Sequence, residues 1–131
     1  MSVSKNHQPK APGKKTEAPG AKRVRGKIWI EGEKGTYIGF GRVVLLQRIK
    51  QFGSISKAAR SMEMSYRHAW ELVDSMNRQA GTPLVETATG GKGGGGARIT
   101  RTGEAAIATF WNLYENFQQF LERQTEELNQ T

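Results

Sequence analysis

A mainly helical fold with a small β-ribbon is what this 131-residue sequence predicts. Three stretches predict it. Residues 53–77, GSISKAARSMEMSYRHAWELVDSMN, read as two short helices joined by a tight turn. Residues 84–102 read as a β-ribbon whose tip, GGKGGGG, carries one lysine. Residues 103–128 place Ile107, Phe110, Trp111, Tyr114, Phe117, Phe120, Leu121 and Leu128 mostly on one seam, as a long helix would. Two helices, a turn and a following ribbon make a winged helix-turn-helix, with the last helix left for pairing two copies.

The elements follow in order. Residues 1–26 hold three of the four prolines and almost no large apolar side chains, so burial cannot offset the entropy of ordering them. They read as a disordered basic arm that either adds phosphate attraction or simply solubilises. From Lys27 the texture changes: Ile28 to Ile30, Gly-Glu-Lys-Gly, then Tyr37 to Phe40 suggest a strand or hairpin. A first helix over 41–52 carries Val44, Leu45, Ile49 and Phe52 at helical spacing, and Gly53 stops it. Ser54 or Ser56 caps a second helix over 56–62, whose small Ala58 and Ala59 permit close packing. Glu63 and Met64 form the turn. Ser65 caps a third helix reaching about Arg78, with Ala69, Leu72, Val73 and Met76 on its core face. Gly81 and Pro83 end it. Strands over 84–86 and 97–100 flank the glycine tip, and Thr102 is the expected cap of a final helix over 103–128. The domain organisation is thus a basic arm over 1–26, a winged helix-turn-helix over 27–103 and a dimerisation helix over 104–131.

Charge agrees with a polyanion partner. The chain carries a net +8. Residues 1–26 hold seven Lys/Arg against one Glu, residues 27–103 twelve against six, and residues 104–131 one against five. Positive charge sits on the arm and the winged region, which suits a polyanion partner; charge alone fits a soluble protein that happens to be basic equally well. There is no cysteine, and only His7 and His68 are present, so neither a disulfide framework nor a metal site is expected. No apolar run approaches the ~20 residues of a membrane span, and the N-terminus lacks a signal-peptide core. A cytoplasmic protein without a membrane partner is expected.

The expected DNA contacts lie at the start of the third helix, the end that enters the major groove. Arg67 can fork onto guanine or grip a phosphate. Tyr66 and His68 can bond base edges or phosphates, and Trp70 can touch thymine methyls or a sugar. Ser65 caps their helix. Ser54, Ser56 and Lys57 sit where the second helix would cross the backbone. Lys92 at the wing tip and Arg98 on the return strand add contacts. A phosphate-binding loop is not the reading for the tip: Gly93 follows Lys92 where Ser or Thr would be needed, and a strand comes next. The alternatives are a plain helical hairpin with Trp70 or Tyr66 in the core, and an inert glycine loop. On the last helix, Ile107, Phe110, Trp111, Tyr114, Phe117 and Leu121 are the expected dimer interface, or the first half packs inward while the second pairs. No nucleophile–base pair and no cofactor loop appears, so neither an enzyme nor a cofactor is expected.

GSISKAARSMEMSYRHAWELVDSMN followed by LVETATGGKGGGGARITRTG resembles the N-terminal DNA-binding domain of ModE-type molybdate-responsive transcription regulators. The PLVE…ITRTG pattern after the helix-turn-helix resembles the wider LysR-type winged helix. The likeness covers about residues 27–125; the glycine-rich wing is its specific part. It implies a dimer paired through the long helix and acting on promoter DNA. It also implies that Ser65, Tyr66, Arg67 and Trp70 lie on the recognition helix and Lys92 at the wing tip. Family members carry C-terminal oxyanion-binding domains. The sequence given has no residues after Thr131 for one, so direct molybdate binding is not expected. The leading expectation is a sequence-specific regulator of double-stranded DNA, working as a homodimer. The competing ones are an architectural binder of low specificity and a protein-interaction module.

Overall fold

The computed structural model describes residues 19–88 and 96–130. A hairpin comes first, β1 (Ile30–Gly32) and β2 (Gly35–Ile38), joined through Glu33 and Lys34. Glu31 pairs with Thr36 and Gly32 with Gly35, with an irregularity between Ile30 and Glu31. Three helices follow: α1 (Phe40–Phe52), α2 (Ile55–Ser61) and α3 (Tyr66–Ala80). A second antiparallel pair, β3 (Val85–Thr87) and β4 (Ala97–Ile99), is the wing, and α4 (Arg101–Asn129) ends the described chain.

α1 is the centre of the fold. Val43, Val44, Leu45, Leu46 and Ile49 are all buried, so apolar groups cover most of its circumference. Such a helix needs neighbours on several sides. It has them in α2, β2, β4 and α4. Polar clips complete the packing. Arg42 Nη1 donates to Ser75 Oγ on α3 (3.2 Å) and Arg48 Nη1 to Ser61 Oγ at the end of α2 (2.9 Å). Gln79 Nε2 donates to Thr36 O at 2.8 Å and so ties the first hairpin to α3. Burial holds the Arg42 guanidinium below the ordinary arginine range and lifts the Tyr37 phenol above its own.

Two features depart from the expectations drawn from sequence. Thr100, not Thr102, caps α4: its hydroxyl accepts from Gly103 N–H at 3.0 Å, and the helix starts two residues earlier than expected. The larger difference lies before Lys27, where a disordered arm is expected. Lys22 N–H donates to Asn129 Oδ1 (2.9 Å), Asn129 Nδ2 donates back to Lys22 O (2.7 Å), and Val24 N–H donates to Thr125 Oγ1 (2.9 Å). Residues 22–26 therefore run along the second half of α4 as a strap. Backbone groups supply these bonds, so the segment needs no apolar pattern to be held. Residues 1–18 of the arm lie outside the described residues.

Candidate nucleic-acid interface

The interface is built from the turn that sets α3 against α2. Gly53 takes a left-handed conformation (φ 65°) and its N–H bonds Ile49 O, which ends α1. Glycine is suited to that position because it has no Cβ to clash. Ser54 then caps α2, accepting from Lys57 N–H at 3.1 Å. Ala58 and Ala59 are buried, and with no larger side chain to hold them apart α2 sits close against both α1 and α3. Glu63 turns the chain with φ 54°, and Met64 N–H bonds back to Ala59 O. Ser65 caps α3 by accepting from His68 N–H at 3.0 Å, as its position before an apolar-periodic run predicts.

α3 has two unlike faces. Ala69, Val73 and Met76 are buried, and Leu72 packs partly against the same core. The opposite face carries Tyr66, Arg67, Trp70 and Glu71 into solvent: Tyr66 is 56% exposed, Trp70 46%, and the Arg67 side chain 90%. One helical turn separates Tyr66 from Trp70 and, in parallel, Arg67 from Glu71, so the four make one patch at the N-terminal half of the helix. The alternative that put Trp70 or Tyr66 in the core is not what the structure has. His68 and Ser65 are exposed beside the patch, and Ser56 and Lys57 are exposed on α2. Arg60, which the sequence pattern does not single out, is exposed on α2 as well. Ser54 is only partly exposed and its oxygen is engaged in the cap.

The wing is pinned at its base. Asn77 of α3 accepts from Leu84 N–H (2.8 Å) and Val85 N–H (3.2 Å) and donates from Nδ2 to Val85 O (3.0 Å). Ala97 N–H donates to Gly53 O at 2.9 Å, so the return strand hangs from the residue that ends α1. Arg98 is exposed but bonded across the ribbon to Glu86 at 2.8 Å, which leaves less of its charge for a partner. Lys92 and the rest of the glycine tip, 89–95, lie outside the described residues. Asn77 is absent from the expected site residues; its only sequence signal is an amide side chain seven residues before a strand, which is weak.

The expected dimer residues divide. Sequence assigns Ile107, Phe110 and Trp111 to the seam, yet all three are buried in the chain's own core. Phe40 explains much of this: its ring meets Trp111 edge-on at 5.5 Å and Tyr114 at 5.5 Å. Tyr114 is thus half-buried against α1. Leu121 is buried near Gly26 of the strap, and Phe117 touches the same glycine. Leu113 and Phe120 stand exposed one heptad apart, and Phe120 stacks on Phe117 with centroids 6.4 Å apart. The first half of the helix thus packs inward, while Leu113 and Phe120 are left exposed.

No helix among the described residues is long and apolar enough to cross a membrane, and no group of three or more His, Cys, Asp or Glu there could hold a metal ion. Residues 40–104, from α1 to the first turn of α4, match the family described as bacterial regulatory helix-turn-helix protein, lysR family. With the capped α3, its exposed patch and the wing at its side, these residues are a LysR-type regulatory helix-turn-helix domain. Within that class the domain is ModE-like. The chain is 36% identical over 110 residues to the molybdenum transport protein ModE of Azotobacter vinelandii, covering 84% of this chain and 41% of that protein. It is 48% identical over 69 residues to the transcriptional regulator ModE of Yersinia pestis, covering 53% and 26%. Against the DNA-binding transcriptional dual regulator ModE of Escherichia coli (strain K12) it is 46% identical over 69 residues, again covering 53% and 26%. The chain thus spans less than half the length of each of these relatives.

Proposed function

We propose that this chain is a sequence-specific DNA-binding transcription regulator that acts on promoter DNA as a homodimer. The two-faced α3 carries this reading: Ala69, Val73 and Met76 anchor the helix while Tyr66, Arg67 and Trp70 stand clear of the protein. The relatives named as transcriptional regulators support it. In this reading the N-terminal half of α3 enters the major groove. The Arg67 fork bonds guanine O6 and N7, a contact worth about 1–3 kcal/mol of discrimination. Ser56, Lys57 and Lys92 meet phosphates and fix register without reading sequence. Two copies join through Leu113, Phe117 and Phe120 and bring their α3 helices to half-sites about 34–36 Å apart.

Selection from a random duplex library tests the reading. The expected result is an enriched motif with two-fold symmetry, bound with a log–log salt slope of about −0.9 per neutralised phosphate. Binding without enrichment would instead mark a low-specificity architectural protein. Failure to bind any duplex at low salt would mark a protein-interaction module.

A further inference from the structure

Resting on that DNA-binding reading, we infer that Glu71 is a second base-reading residue, one that accepts a hydrogen bond from the exocyclic amino group of a cytosine. It lies on the same exposed patch as Arg67, one turn further along α3. Its carboxylate is 60% exposed and sits 3.8 Å from Arg67 Nε. That separation exceeds a hydrogen bond, and solvent screens the pair, so neither group is firmly committed to the other. The neighbouring acids differ. Asp74 is bonded to Arg78 at 2.8 Å, and Glu63 lies in the turn before α3.

A carboxylate on a face that meets DNA has an electrostatic handicap, because the duplex carries a negative charge about every 1.7 Å. It has no proton to give a phosphate. What it can do in the major groove is accept from an amino group, and only cytosine N4 and adenine N6 present one. Adenine sets the N7 acceptor beside its amino group, which repels a carboxylate oxygen; cytosine does not. The chemistry therefore selects cytosine. Four residues of helix advance about 6 Å, close to two base steps of about 3.4 Å each. The cytosine lies about two steps from the guanine that Arg67 holds, and the carboxylate repels duplexes that lack it.

The test repeats the library selection with the full chain and with Arg67→Ala, Glu71→Ala and Glu71→Gln. The unmodified chain selects a guanine and a nearby cytosine. Glu71→Ala abolishes the cytosine preference alone, on the order of tenfold in relative affinity, and binds random duplex more tightly than the parent does. Glu71→Gln shifts that position from cytosine to adenine, because a carboxamide matches adenine N6 and N7 together. Loss of the guanine preference in Glu71→Ala would show that Glu71 only holds Arg67, and would overturn the proposal. Tighter binding to every duplex with all base preferences intact would overturn it too, leaving an acid that merely repels. Absence of any enriched motif for the unmodified chain would instead sink the reading beneath it.

Discussion

At the scale of single residues, Gly103 is tightly constrained and Arg67 is open to solvent. A Cβ built on Gly103 would run into the backbone oxygen of Leu84 and the Ile99 Cγ2 methyl, so the first turn of α4 lies directly on β4 and on the residue that precedes β3. Gly103→Ala should lower unfolding free energy by about 1–3 kcal/mol, the usual cost of forcing an atom into a packed site; urea denaturation would measure it. Arg67→Ala removes a side chain that stands almost wholly in solvent in the free protein, so the unfolding midpoint should not move. Its specific affinity should fall about 5- to 150-fold while binding to random duplex falls far less. Equal losses on both would make Arg67 a phosphate contact. Both roles are partly legible in the sequence. Ser65 before a periodic apolar run announces where α3 begins, and that fixes which side Arg67 faces. Gly103 reads only as the first residue of the last helix, because what makes glycine necessary is a backbone oxygen nineteen residues earlier in the chain.

At the scale of elements, α3 and the wing behave as one unit because Asn77 joins them. Its amide bonds three backbone groups of Leu84 and Val85. Asn77→Ala would leave those groups without that partner and should cost about 2 kcal/mol. Hydrogen exchange at the Leu84 and Val85 amides should speed up well before exchange in α1 does. If the two regions changed together, the wing would be held by its strands rather than by α3. The element boundaries themselves are largely readable from sequence. Gly53, Ser65 and Gly81 punctuate the helices where glycine and serine have a stereochemical reason to be, and period 3.6 marks the buried face of α3. The start of α4 is not readable in the same way, because Thr100 and Thr102 are equally good caps by type. Which one serves depends on Thr100 also bonding Pro83 O at 2.7 Å, an interaction made across the ribbon.

At the scale of the whole molecule, the questions are pairing and charge. The aromatic seam of α4 is visible in the sequence, but not what covers it; Phe40 sits some seventy positions away and takes the first half. Leu113, just before the midpoint of the helix, and Phe120, beyond it, stay outward. With the pairing proposed above, Phe120→Glu should give a monomer in sedimentation velocity where the parent gives a dimer, with little change in the far-ultraviolet spectrum, and should weaken binding to a two-half-site duplex. An unchanged sedimentation coefficient would move the pairing surface elsewhere. Removing residues 1–18 takes away four lysines and one glutamate but leaves the strap in place. Affinity should drop alike on all duplexes, with the salt slope shallower by about 0.9 for each phosphate that is no longer neutralised. A drop confined to one duplex would mean that the segment reads sequence.

The pair of hydrogen bonds between Lys22 and Asn129 sets residues 107 positions apart side by side. Neighbourhood of that kind is what makes circular permutation feasible. A short glycine link from Gln130 to Gly20, with the chain reopened between Glu33 and Lys34, would leave the interior packing untouched and would move both free termini to the tip of the first hairpin. Labels or fusion partners could then be carried beside β1 and β2 rather than at the far end of the long helix.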